Sequence, residues 1–312
     1  MKNGIFTLAT IVFLIIGCAP IPKKQTQNDL IREGLKGDVK SIKITRYGDV
    51  TEVSGEIVNG KSVLVKYAEY NNKGNLIEEE QYDIDGEFRW KNIYTYDNKG
   101  NLTEIREYGL DGEFRSTFII ALDDKGNWIE ATEYNLDGEI IFKSIYTYDC
   151  KGNQIEWKWY GEDGELGYKY TYAYDRKGNQ IEEKGYPSGG ELSYKSIYTY
   201  DRKGNRIKKK EFNSGGKLED KHIYTYDRKR NLIKKKMYYS EGRLVYKTLY
   251  TYDDKGNQIE EKGYPSNKEL LDKSTYTYDD KGNHIEEKKY ILPCSSEKLK
   301  ICSIIEREIE YY

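Results

Sequence analysis

A turn of the form x-Lys-Gly-Asn recurs along this chain. Its asparagine falls at Asn75, Asn101, Asn127, Asn153, Asn179, Asn205, Asn231, Asn257 and Asn283, each 26 residues after the last. A fixed period of this size marks a repeat architecture, in which each unit is one supersecondary element that buries its face only against its neighbours. Nine copies without an insertion leave little of the 312 residues for a second fold. One elongated repeat domain is therefore expected over residues 37–312, with nine units centred on 67–290 and degenerate capping strands at both ends.

The unit from Tyr194 to Phe212 shows what is repeated. Tyr194, Ser196, Tyr198 and Tyr200 fall on one face of an extended strand, and Lys195, Ile197 and Thr199 on the other. Tyr, Thr and Ile are good strand formers, and no helical period competes. The segment Asp201-Arg202-Lys203-Gly204-Asn205 fits a type I turn with glycine in the left-handed position. A second strand follows to Phe212, and a second glycine turn closes the unit, as at Asp85-Gly86, Asp111-Gly112, Asp137-Gly138 and Asp163-Gly164. Each repeat thus reads as two antiparallel strands continued by the next. The expected fold is all-β: an elongated antiparallel meander of nine two-stranded repeats. A twisted, partly coiled single sheet is favoured over a closed barrel. Degenerate residues between Thr51 and Tyr67 are expected to cap the array.

Composition tests whether such a chain orders at all. It is 33% charged with a mean hydropathy of -0.89, yet it holds 32 tyrosines beside only 7 phenylalanines. Disordered segments are poor in aromatics, so order is expected, held by rows of stacked tyrosines rather than by a thick apolar core. The net charge of -2 gives no global attraction to nucleic acid or an anionic membrane.

The run Tyr-Asp-x-Lys-Gly-Asn-(Leu/Gln)-Ile, seen around Tyr96, Tyr148 and Tyr252, resembles the YD repeat of RHS-type proteins. The resemblance covers roughly residues 67–290. It implies long antiparallel sheets, which large members of that family wind into a shell around a toxin. Here the unit is longer, no effector domain follows the repeats, and nine units are too few to enclose a protein. The resemblance implies a small envelope-anchored repeat protein rather than a toxin shell.

The first residues read as an address. Lys2, the apolar run Ile5 to Ile16, and Gly17-Cys18 have the layout of a signal peptide too short for a comfortable span. Ile15-Ile16-Gly17-Cys18 resembles a bacterial lipobox, which implies removal of residues 1–17 and a lipid on Cys18. Ala19 in place of an aspartate is similar to lipoproteins sorted to the outer membrane. Residues 18–36 then read as a polar tether.

Chemistry is sparse. His222 and His284 occupy different repeat positions and read as surface substitutions. The Glu-Glu pairs at Glu182-Glu183, Glu260-Glu261 and Glu286-Glu287 are replaced by Lys208-Lys209 and Lys234-Lys235 elsewhere, as expected of a solvated wall rather than a catalytic pair. Asp83-Ile84-Asp85-Gly86-Glu87 lacks the further ligands of a calcium loop and reads as a turn. Cys294 and Cys302 are a candidate disulfide, and Cys150 a lone turn thiol. No cofactor and no metal are expected.

One stretch stands out. Residues 201–236 hold fourteen Lys or Arg against five acids, a local excess of nine. The candidate anion-binding patch is Arg202, Lys203, Arg206, Lys208, Lys209, Lys210, Arg228, Lys229, Arg230, Lys234, Lys235 and Lys236. Arg230 also replaces a turn glycine, at an expected cost of about 1 kcal/mol. The expected function is non-catalytic contact with an envelope protein or glycan from a lipid-anchored, tyrosine-rich surface. A purely structural spacer is the alternative, and an envelope hydrolase the weaker one. Nucleic acid is not an expected partner, and the oligomeric state is left open.

Overall fold

The computed structural model describes residues 29–53, 56–266, 269–293 and 298–312. One short helix, α1 (Asp29–Arg32), precedes strands β1 (Val39–Tyr47), β2 (Thr51–Val53), β3 (Glu56–Val58) and β4 (Ser62–Tyr70). The meander then runs through β5 (Leu76–Tyr82), β6 (Phe88–Tyr96), β7 (Leu102–Tyr108), β8 (Phe114–Leu122), β9 (Trp128–Tyr134), β10 (Ile140–Tyr148), β11 (Gln154–Tyr160) and β12 (Leu166–Tyr174). It continues as β13 (Gln180–Pro187), β14 (Tyr194–Tyr200), β15 (Arg206–Asn213), β16 (Leu218–Tyr226), β17 (Leu232–Tyr239) and β18 (Leu244–Tyr252). The last strands are β19 (Gln258–Pro265), β20 (Asp272–Tyr278), β21 (His284–Ile291) and β22 (Lys300–Tyr311).

From β4 to β22 every strand pairs antiparallel with the next, and β1 pairs with both β4 and β22. Twenty strands therefore close into a barrel. This overturns the open single sheet expected from the repeat. An open meander would leave two rows of unpaired N–H and C=O groups; β1 lies between the two edges and satisfies both. At about 4.8 Å per strand and ordinary strand tilt, the backbone diameter is roughly 30–40 Å.

The turns follow the sequence closely. In every repeat but the first, where Asn71 takes the place, an aspartate N–H bonds the asparagine carbonyl, as from Asp149 to Asn153 at 2.8 Å, and Gly152 has φ 79°. The aspartate carboxylate then accepts from the N–H of Lys151 and Asn153, at 2.9 and 2.8 Å, and from the Asn153 side-chain amide at 2.8 Å. These donors, the side-chain amide foremost, hold the Asp149 and Asp175 carboxyls below the usual carboxylate range. Asp83 makes the same kind of turn, accepting from the N–H groups of Asp85 and Glu87.

A register shift sits beside each Lys-Gly-Asn turn, as between Thr147 and Tyr148. The second tyrosine of the repeat uses it: Tyr148 donates to the Trp128 carbonyl at 2.8 Å, Tyr174 to Gln154 at 2.7 Å, and Tyr200 to Gln180 at 2.7 Å. The row is thus a chain of bonds from one repeat to the previous one.

The two faces of the wall differ in burial. Tyr70, Phe118, Tyr146, Trp157 and Tyr198 are buried, whereas Ile119 and Ile129 on the opposite face are 45% and 40% exposed. Side chains crowd on the concave side of a closed sheet, so the tyrosine face points inward. Ring pairs run around its circumference, Phe118 to Phe142 at 5.5 Å and Trp157 stacked on Tyr170 at 5.0 Å. The tyrosine rows expected at a display surface line the inner wall instead.

Residues 29–36, read from sequence as the end of a tether, are bound to the barrel rim. Leu30 belongs to the buried cluster that holds Tyr70, Leu76 and Tyr94, while the Asp29 carboxylate accepts from the Leu76 N–H and the Tyr96 hydroxyl. On the other side of the β1 seam the Lys36 N–H donates to Asn283 Oδ1 at 2.7 Å, and the Asn283 amide donates to the Lys36 carbonyl at 2.8 Å. The hairpin β2–β3 follows β1, and Val50 at its foot covers Ile301 and Ile304 on the outer face of β22. Residues 1–28, with Cys18, lie outside the described residues, as does Cys294.

Candidate functional site

Strand alternation distributes the basic stretch over three places. Arg202, Lys203, Arg228, Lys229 and Arg230 lie in exposed turns at one mouth. Arg206, Lys209 and Lys235 pair with Tyr200, Tyr198 and Tyr224 and so belong to the inner face. Lys208, Lys210, Lys234 and Lys236 pair with Thr199, Ile197, Thr225 and Ile223, and so face outward.

The outer wall has a charge pattern that explains why this sector differs. Glu182 bridges Lys184 at 2.6 Å and Lys195 at 2.8 Å. Three repeats later, Glu260 bridges Lys262 at 2.5 Å and Lys273 at 2.9 Å. Between them the same three positions are Lys208, Lys210 and Lys221, then Lys234, Lys236 and Lys247. Lys210 is paired directly with Lys221, and Lys236 with Lys247. Among the described residues none of these six ammonium groups has a carboxylate within ion-pair distance. An aromatic ring accompanies each trio, at Tyr186, Phe212, Tyr238 and Tyr264. Lys221 lies 4.7 Å from the Tyr238 ring centre, and Lys247 lies 4.0 Å from that of Tyr264.

The basic side chains of the inner face are held differently. Arg206 sits over the Tyr198 ring at 4.6 Å, and Lys209 is 2.8 Å from Glu211. Glu211 also meets His222 Nε2 at 3.1 Å. Both histidines thus lie on the inner wall rather than the surface, since His284 is opposite Tyr278 and touches Arg307. Burial lowers both of their pKa values; Glu211 opposes the shift at His222, and Arg307 adds to it at His284.

A second inner cluster was not legible as a site. Asn92, Glu107, Ser116 and Glu133 are buried on adjacent strands β6 to β9. Glu79 nearby has Lys66 at 2.6 Å and the Tyr94 hydroxyl at 2.8 Å. Burial pushes Glu107 up, against a small pull from Arg115, and pushes Glu133 up to about 7, with Glu107 adding to the shift. Asn92 Oδ1 and Trp90 Nε1 are buried without a hydrogen-bond partner among the described residues. Only the alternation of Glu107 and Glu133 with the tyrosine face could have placed these carboxyls inside.

Cys150 is exposed, and the Cys302 thiol donates to the Lys289 carbonyl at 3.3 Å. Among the described residues no three His, Cys, Asp or Glu side chains are grouped as metal ligands would be.

No family model matches the chain, and no curated protein is similar to it. Solved structures similar to it include the TcdB2-TccC3 complex, at 16% identity and a TM-score of 0.36, over 78% of this chain and 14% of that one. A Photorhabdus luminescens Tc holotoxin pore is similar over 83% of this chain and 18% of its own, at 14% identity and a TM-score of 0.33. A porin-like protein from Bacteroides uniformis is similar over 88% of this chain and 98% of its own, at 12% identity and a TM-score of 0.41. The chain thus spans about a seventh of the toxin complex chain. Likeness at this level is compatible with a YD-type repeat and decides nothing about function.

Proposed function

We propose that this chain is a lipid-anchored, non-catalytic barrel of the cell envelope whose outer wall makes contact with an envelope protein or glycan. The observation that carries the reading is the break in charge pairing over β15–β18. A wall evolved only to stay soluble has no need to exchange the bridging Glu182 and Glu260 for Lys208 and Lys234, because like charges placed side by side on a sheet cost stability. Anchoring rests on Ile15-Ile16-Gly17-Cys18, and its address at the outer membrane on Ala19. The non-catalytic reading is supported by the placing of the two histidines on separate strands, β16 and β21, at different positions of the repeat.

The spacer reading is favoured by the remaining wall, where Lys–Glu ladders such as Glu156–Lys158 and Glu286–Lys288 neutralise one another. A crosslinking pull-down from intact cells, with the full chain and a Cys18→Ser control, separates the two. One stoichiometric partner lost with Cys18→Ser supports contact from an anchored barrel. Recovery of only abundant envelope proteins, alike in both, supports the spacer.

A further inference from the structure

The six outward lysines of β15–β18 repeat as two trios. Lys208, Lys210 and Lys221 are followed, one repeat on, by Lys234, Lys236 and Lys247. The trios are two strands apart around the barrel, about 10 Å. They lie on a convex wall, so a ligand that engages both must be narrow and must bend across the strands. It must also carry negative charge at a regular interval, since the lysines supply charge and little else.

We infer that this sector binds a linear acidic polysaccharide laid across β15–β18. Phe212, Tyr238 and Tyr264 stand beside the trios on the same face. These rings, of which Tyr238 lies beside Lys221 and Tyr264 beside Lys247, offer an apolar surface to the C–H face of a sugar, while the ammonium groups meet its carboxylates or sulfates. A lipid surface fits less well. Among the described residues of β15–β18 only Tyr239 is an exposed large apolar side chain, so the sector offers little to insert between acyl chains. This inference rests on the contact reading above and names the partner for that wall.

The neighbouring repeats supply the test. Lys208→Glu with Lys234→Glu recreates at both trios the bridge that Glu182 and Glu260 make, so the variant is expected to fold at least as well as the parent. The full-length chain in neutral detergent is titrated with polygalacturonate, with dextran as the uncharged control, at low and at physiological salt. The expected result is binding to polygalacturonate that weakens with salt and falls about tenfold or more in the double variant, with no binding to dextran. Equal binding by parent and variant overturns the inference, as does a parent that does not distinguish polygalacturonate from dextran. Tighter association with phosphatidylglycerol vesicles than with polygalacturonate, lost in the variant, assigns the sector to a membrane and also overturns it. A stoichiometric protein from the crosslinking experiment together with no polysaccharide binding leaves the contact reading standing and removes this one.

Discussion

The guanidinium of Arg230 donates to the carbonyl of Lys203 at 2.8 Å, bridging the turns of two successive repeats along the mouth of the barrel. It also reaches Asn205 Oδ1 at 3.1 Å. Arg230 holds φ at 75°, the left-handed value that glycine takes in the other repeats. The substitution that looked like a defect in the sequence has its own compensation.

Arg230→Gly should therefore gain about 1 kcal/mol from relief of backbone strain and lose most of it with the two exposed hydrogen bonds, for a net change within about 0.5 kcal/mol. Arg230→Ala keeps the strain and loses the bonds, and should cost about 1 kcal/mol. Equilibrium urea unfolding of both checks this. Equal stability of the two variants would show that the turn does not require the left-handed conformation.

Asp175 accepts from Lys177 N–H, Asn179 N–H and the Asn179 side-chain amide, so Asp175→Ala should lower stability measurably although the carboxyl lies in a turn. Its lowered carboxyl pKa means that the stabilisation is present above the unfolded carboxyl value and is lost as pH falls through the folded one. The difference between parent and variant in thermal unfolding should hold steady from pH 7 to pH 5 and shrink below pH 4. A constant difference down to pH 2 would contradict the assignment.

Glu133 has the opposite sign. Its raised pKa means that its contribution is fully present below the unfolded carboxyl value and is lost as pH rises from there through about 7. Glu133→Gln should be nearly neutral at pH 4 and stabilising by about 2 kcal/mol at pH 8. Guanidinium unfolding at the two pH values decides it, and the same effect at both would rule out burial of the charge as the cause.

Closure can be tested by removing residues 298–312. This deletes β22 and leaves β1 and β21 as unpaired edges. The truncated chain should associate through those edges, or lose its cooperative thermal transition. A monomer with the parent's transition would argue against a closed ring.

Much of this was legible because period and alternation act locally. The turn aspartates and glycines, the split of Tyr198 from Ile197, and the strand at Asp38 to Tyr47 all follow from neighbours in sequence. Closure was not legible. It depends on the pairing of Val39–Tyr47 with a strand some 260 residues away, Lys300–Tyr311, and neither segment carries the repeat signature. The basic stretch was visible as composition, but a charge count merges Lys208 with Lys209, which point to opposite sides of the wall. The helix at Asp29 was missed because four residues give no period to read. Its anchor, the Asp29 bond to Tyr96, is tertiary.

The bridging position of β1 has a further implication. Because β1 is antiparallel to both its neighbours, the ring needs an even count of staves. Each genetic duplication or loss of a 26-residue unit inserts or removes two, so up-and-down order survives while girth changes by about 10 Å. A chain of this design can be resized by recombination between its own copies without redesigning the seam.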